Sequence, residues 1–301
     1  MTLSGPDQVS YCRLLRGCPI LVGMHLEPLS NLSWAYRLHY YICFRAYHRH
    51  RLFGEAERAK QMAVLLQEVC SNHDYHLLQQ KVYPNHVRML VSLRPDQTVS
   101  KVVQTVRGNS SREFARCFNL KTSPWARGYL ARSVGRITTQ AVSRYLTSQP
   151  VHHGYASRVL PPVYRYRAEA GAVQLSAAHA SFDLNHHFVF STSYRRSVFG
   201  SRMGEAVAQY WLKVAAKHGF AIDQVSFVPD HVHLLVRAKP KQSVEDCALA
   251  QLNNSQHFVG TRYPAALIEA GINNLWAPGA YVGTCGRVTT AEVKSFLGRP
   301  D

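Results

Sequence analysis

Two stretches of the chain place histidines where they could act together. Residues 227–238 read FVPDHVHLLVRA, and residues 83–92 read YPNHVRMLVS. Each has an aromatic shortly before a proline, then a polar residue, then His-Val-x and an apolar run. On a strand, residues i and i+2 share a face. His231 and His233 would therefore present two imidazoles together, with Val232 and the flanking leucines facing inward. Two such rings can hold a divalent cation and leave positions open for a phosphate or water. The earlier stretch has His86 but Arg88 where the second histidine would stand, so one ligand is missing there.

The doubled motif belongs to a longer repeat. LHYYICFRAYHRHRLFG (38–54) matches LNHHFVFSTSYRRSVFG (184–200), each an aromatic and β-branched run ending in a basic turn. Helical spacing follows in AERAKQMAVLLQEVC (56–70) and GEAVAQYWLKVAAKHG (204–219). After the two His-Val-x strands comes a second helical stretch, 99–118 in one copy and 243–260 in the other. PWARGYLARSVGRITTQAVSRYL (124–146) then matches LWAPGAYVGTCGRVTTAEVKSFL (275–297), pairing Trp125 with Trp276 and Gly135 with Gly286. The offset drifts only from 145 (His86 to His231) to 151 (Trp125 to Trp276). One ancestral domain is written twice. Each copy reads strand, helix, strand, strand, helix, strand, helix, with the middle strands joined tightly around Pro84 and Pro229. That order predicts an α+β fold, an antiparallel sheet with helices on one face in each half. The expected division is an unassigned extension at 1–33, a first domain at 34–149, a connector at 150–180 containing a YRYR cluster, and a second domain at 181–301.

The composition bounds the function. With 46% apolar and 11% aromatic residues, the chain can build globular cores. Thirty-five Lys and Arg against 18 Asp and Glu give +17, a balance that favours nucleic-acid phosphates as partners. The seven cysteines are scattered with no CxxC pair, which argues for a reducing compartment and against a zinc ribbon. No signal pattern or membrane-length apolar run is visible, so the expected location is the cytoplasm, with no membrane partner.

VPDHVHLLV, the preceding HHFVFSTSYRRSVF and the basic helix KVVQTVRGNSSR (101–112) together resemble the HUH single-strand tyrosine transposases. These include the TnpA-type insertion-sequence enzymes and the REP-associated ones. The resemblance covers both copies, about 38–149 and 184–297. It implies two ferredoxin- or RRM-like HUH domains packed as a pseudo-dimer. It also implies Mg²⁺ or Mn²⁺ on the histidine pair, single-stranded and hairpin-bearing DNA as partner, and a tyrosine that forms a 5′-phosphotyrosine. In SVGRITTQAVSRYLTSQ (133–149), Thr138 or Thr139 can cap a helix that stacks Tyr145 and Gln149 one turn apart. The resemblance makes Tyr145 the nucleophile and Gln149 the third metal ligand. The second copy has Phe296 and Pro300 at those places, and neither can serve.

Each copy is thus half complete. Since the family's dimers can exchange their last helices, His231, His233, Tyr145 and Gln149 would form one whole site in trans. His86, Arg88, Phe296 and Pro300 would form a degenerate second one. Lys101, Arg107, Ser110, Ser111 and Arg112 are the expected DNA contacts, on a helix whose counterpart carries Glu245, Asp246, Leu252 and Gln256. The expected function is a metal-dependent single-stranded DNA endonuclease and strand transferase. A second reading stays open: a catalytically inactive or domesticated protein that binds DNA hairpins. Further self-association of the pseudo-dimer is also left open.

Overall fold

The structure is a computed structural model that describes residues 27–47, 50–152, 161–169 and 171–298, without the side chains of 148–152. Of the unassigned extension at 1–33, residues 1–26 lie outside the described residues. A short strand, β1 (Ser33–Arg37), leads into the first half. That half runs β2 (His39–Arg45), α1 (Ala56–Asn72), β3 (His76–Tyr83), β4 (His86–Ser92), α2 (Val99–Cys117), β5 (Tyr129–Val134) and α3 (Thr139–His152). The connector supplies β6 (Tyr164–Arg167), and at its end β7 (Ala180–Asp183) opens the second half. The second half repeats the order with β8 (Asn185–Thr192), α4 (Ser201–His218), β9 (Ala221–Val228), β10 (His231–Arg237) and α5 (Val244–Arg262). It adds a short α6 (Pro264–Glu269) before β11 (Trp276–Cys285) and α7 (Thr290–Gly298).

Local chemistry accounts for the helix starts. Thr98 accepts from the Lys101 amide at the head of α2, and Ser243 accepts from the Asp246 amide at the equivalent place in α5. Of the two threonines able to cap α3, Thr138 does so, its Oγ1 accepting from the Ala141 amide at 3.2 Å. Val87, Met89 and Val91 of β4, and Val232, Leu234 and Val236 of β10, turn into the main core against α1, α2, α4 and α5. Leu235 is an exception to the inward-facing leucines. It shares the face of His231 and His233, where it packs on Val142 and Leu146 of α3.

Two mixed sheets result, ordered β3-β4-β2-β5-β7 and β1-β11-β8-β10-β9-β6. Each antiparallel sheet gains one parallel edge strand from the other half. β1 pairs with β11, and β7 pairs with β5. A single buried leucine separates each donated strand from the next, Leu38 between β1 and β2 and Leu184 between β7 and β8.

The last helices cross over as well. Just beyond β5 and β11 the two backbones run against each other. The Thr139 amide donates to the Gly286 carbonyl at 2.8 Å, and the Thr290 amide to the Gly135 carbonyl at 2.7 Å. Ser133 Oγ donates to the Cys285 carbonyl and Thr284 Oγ1 to the Val134 carbonyl, at 2.6 and 2.7 Å. A Cβ on Gly135 would collide with the Thr284 carbonyl, and one on Gly286 with the Ser133 carbonyl. This close approach is why VGRITT and CGRVTT share their glycine. Past the crossing, α3 lies on the second half's sheet beside Leu235 and Cys285. In return α7 lies on the first half's, with Val293 and Leu297 packed on Leu90. No helix among the described residues is long and apolar enough to cross a membrane.

Candidate active site

Strand alternation puts His231 and His233 on the face of the second sheet opposite the main core, beneath α3. The two ring centroids are 5.0 Å apart. His231 Nδ1 sits 2.6 Å from Asp230 Oδ1, and that carboxylate also pairs with Arg195 at 2.8 Å. A carboxylate at Nδ1 favours the tautomer with its lone pair on Nε2, the nitrogen a metal would use.

A third histidine, His187 on β8, completes the cluster. Its Nε2 lies 3.1 Å from His233 Nδ1, and the two rings stack at 5.3 Å. Burial pushes the His187 pKa down to about 4, which favours the neutral ring, and its Nε2 lone pair can then accept a hydrogen bond from His233 Nδ1–H. Sequence reading missed this residue. Its signal was parity: in NHHFVFST, Phe188 and Phe190 face the core, so His187 must face the histidine side.

Tyr145 arrives from the first half. Its ring meets that of His233 edge-on, with centroids 5.6 Å apart. The helix is pinned there by Gln224 of β9, which accepts from Ser143 Oγ at 3.0 Å and donates to Thr147 Oγ1 at 3.3 Å. A cleft of about 730 Å³ opens beside the tyrosine, lined by Gln140, Ser143, Arg144, Thr147 and Arg167. Arg167 comes from the YRYR strand of the connector. The side chain of Gln149 and all of Pro300 lie outside the described residues.

Among the described residues no three of His, Cys, Asp and Glu form a ready metal cage. The donor set is two imidazoles, each held at Nδ1 by a neighbour. That chemistry fits a divalent cation that takes its remaining ligands from outside these residue types.

At the equivalent place in the first half, His86 stacks on Tyr83 with centroids 4.4 Å apart. The Arg88 guanidinium lies 4.6 Å from the Tyr83 ring and 4.8 Å from the ring of Phe296, which α7 brings from the second half. The structure thus brings Tyr145 to His233 and Phe296 to Arg88.

The expected DNA helix, α2, divides by exposure. Lys101 and Arg112 are exposed. Arg107 is half-buried and donates to the carbonyls of Ala126 and Gly128. Ser111 is half-buried and bonds Ser123. Ser110 has no exposed surface and accepts from the Trp125 indole at 3.3 Å, leaving nothing to meet a phosphate. Its counterpart Ser255 accepts from Trp276 at 2.9 Å. Helical spacing held the clue, because Ser110 continues the buried stripe of Val103, Val106 and Phe114. The exposed side of α2 borders a cleft of about 960 Å³ that Lys239 and Lys241 of the second half also line.

The family model described as "Transposase IS200 like" matches residues 34–149 and again 180–299. The ISDra2 transposase TnpA of Deinococcus radiodurans is 26% identical over 116 residues, 38% of this chain and 83% of that one. The transposase for insertion sequence element IS200 of Salmonella typhimurium is 25% identical over 122 residues, 40% of this chain and 80% of its own. A solved REP-associated tyrosine transposase bound to a REP hairpin aligns at 15% identity over 44% of this chain and 72% of its own, with a TM-score of 0.28.

Proposed function

The chain belongs to the IS200-like transposase family, in two copies, and on that premise we propose that it cleaves and rejoins single-stranded DNA at one composite site. Tyr145 of the first half is the nucleophile, and His231 and His233 of the second half are metal ligands, with Gln149 as the third. The observation that carries this reading is the pairing across halves. Tyr145 lies beside His233 at 5.6 Å, whereas the arginine that replaces a histidine lies beside the phenylalanine that replaces a tyrosine.

In the reaction, Tyr145 Oη attacks phosphorus and the bond to the 3′ oxygen breaks. The phenol's proton ends on the released 3′ hydroxyl, and the 5′ phosphate stays on the tyrosine. Attack by a 3′ hydroxyl on that ester reverses the steps and rejoins the strand. A bound Mg²⁺ or Mn²⁺ supplies charge to offset the nonbridging oxygens and favours ionisation of a phenol whose ordinary pKa is about 10. Asp230 and His187 orient the two imidazoles, Gln224 fixes the height of α3, and Arg144 and Arg167 flank the cleft that receives the strand. The net charge of +17 supports DNA as the partner, with the exposed faces of Lys101 and Arg112 as further phosphate contacts. A hairpin-bearing strand is the form the family reading implies.

The test is a covalent adduct. Labelled hairpin-bearing single-stranded DNA incubated with the chain and Mn²⁺ is expected to give a species that survives a denaturing gel and vanishes in Tyr145→Phe. An adduct that persists in Tyr145→Phe would sink the assignment. No adduct with any DNA tried would favour a protein that binds hairpins without cutting.

A further inference from the structure

The first half's counterpart of the catalytic site has lost its chemistry without becoming apolar. Arg88 on β4 pairs with Cys43 on β2 in the register that pairs His233 on β10 with Val189 on β8. A permanent positive charge therefore stands where the other half places a metal ligand. Arg45 pairs with His86 on the neighbouring strand, and the Lys81 ammonium lies 5.1 Å over the Tyr83 ring.

The guanidinium is held but not neutralised. Tyr83 and Phe296 pack on it, its Nη1 makes a long 3.4 Å bond to Tyr83 Oη, and the Cys43 thiol is near. Among the described residues neither Arg88 nor Arg45 pairs with a carboxylate. Arg88 Nε and His86 Nε2 are buried with no hydrogen-bond partner. Burial, and then the charges of Arg88 and Arg45, keep His86 below the usual histidine range. Arg88 is half-buried. A cation partly withdrawn from water and short of acceptors is costly unless an anion completes it, and a planar fork of donors suits phosphate oxygens.

We propose that Arg88, framed by Tyr83 and Phe296, is a metal-independent subsite that holds a phosphodiester of single-stranded DNA without cutting it. Phe296 presents no hydroxyl to the phosphorus, so a strand seated there is retained intact. Phe296 as a residue is 45% exposed, and the side of its ring away from Arg88 could meet an unpaired base. The subsite rests on the family reading for its ligand, DNA, and not on cleavage by Tyr145.

The probe is oligothymidylate in EDTA, with affinity read across a salt series. Arg88→Ala is expected to bind about tenfold more weakly, and the slope of log K against log salt is expected to fall by about 0.7, the share of one single-strand phosphate contact. Phe296→Asp, at an exposed position, supplies an internal carboxylate to the guanidinium and is expected to weaken binding and flatten the slope likewise. Parental affinity and slope in Arg88→Ala would overturn the proposal. Should that variant not fold, Phe296→Asp decides alone, and unchanged or tighter binding by it would overturn the proposal equally. The two readings separate on the unsubstituted chain. No adduct there, with binding lost in Arg88→Ala, would sink cleavage and leave the subsite standing. An adduct with no effect of Arg88 would do the reverse.

Discussion

Tyr145 and His233 stand edge to face with ring centroids 5.6 Å apart, although one comes from the last helix of the first half and the other from a middle strand of the second. The crossing at Gly135 and Gly286 produces this meeting, because it sends each last helix onto the other half's sheet. A site built inside one chain carries a stoichiometric signature. Tyr145→Phe and His233→Ala are each expected to lower adduct formation at least a hundredfold. Mixing the two variants is expected to restore nothing, since neither chain then owns a whole site. Substantial recovery on mixing would mean that helices exchange between chains.

His187 meets His233 at 3.1 Å, and in the proposed reaction it would act through that ring as a positioning residue. His187→Phe is expected to raise the Mn²⁺ concentration for half-maximal adduct by roughly 10- to 100-fold, the usual cost of losing such a hydrogen bond behind a ligand. The melting temperature should move little, and His187→Gln, which keeps an acceptor, should recover part of the loss. An unchanged Mn²⁺ requirement in His187→Phe would rule out the positioning role.

Three buried or half-buried histidines make stability depend on acid. Burial lowers His186 to about 3 and His187 and His39 to about 4, from an ordinary 6.5. Between those values the unfolded chain binds protons that the folded one refuses, so stability holds above pH 6.5 and falls as pH drops toward 4. Each histidine adds a limiting slope of about 1.4 kcal/mol per pH unit. Thermal melts across that range should show the fall, and His187→Phe should make it shallower.

Gly135→Ala tests the crossing itself. The added methyl meets a backbone carbonyl, which cannot turn aside as a side chain could. A loss of about 3 kcal/mol or more is expected, at the severe end for single substitutions, and Gly286→Ala should match it. Urea titration followed by circular dichroism would read both. A near-parental midpoint would show that the two backbones can part.

Much of this was legible in the chain's letters. The repeat, the element order and the complementary losses at Arg88 and Phe296 all follow from residue types recurring at nearly constant offsets. The donated strands were not legible. SWAYR and ASFD are too short for a period to show, and their partners lie in the other copy. The helix α2 misled in part, because Ser110 sits among basic and small polar neighbours while its position on the helix turns it toward Trp125. His187 hid in a doublet whose two members face opposite sides of one strand. In these cases the missing information was the direction of a side chain, which depends on a sheet that several distant segments assemble.

The single leucines at 38 and 184 leave the chain no slack between strands that lie in different sheets. Two ordinary subunits can drift apart and stay folded, but these halves would have to be unthreaded, each pulling an edge strand and a helix out of the other. The two halves are therefore expected to part only by unfolding, so the chain should melt as one cooperative unit, with the halves' contact independent of concentration.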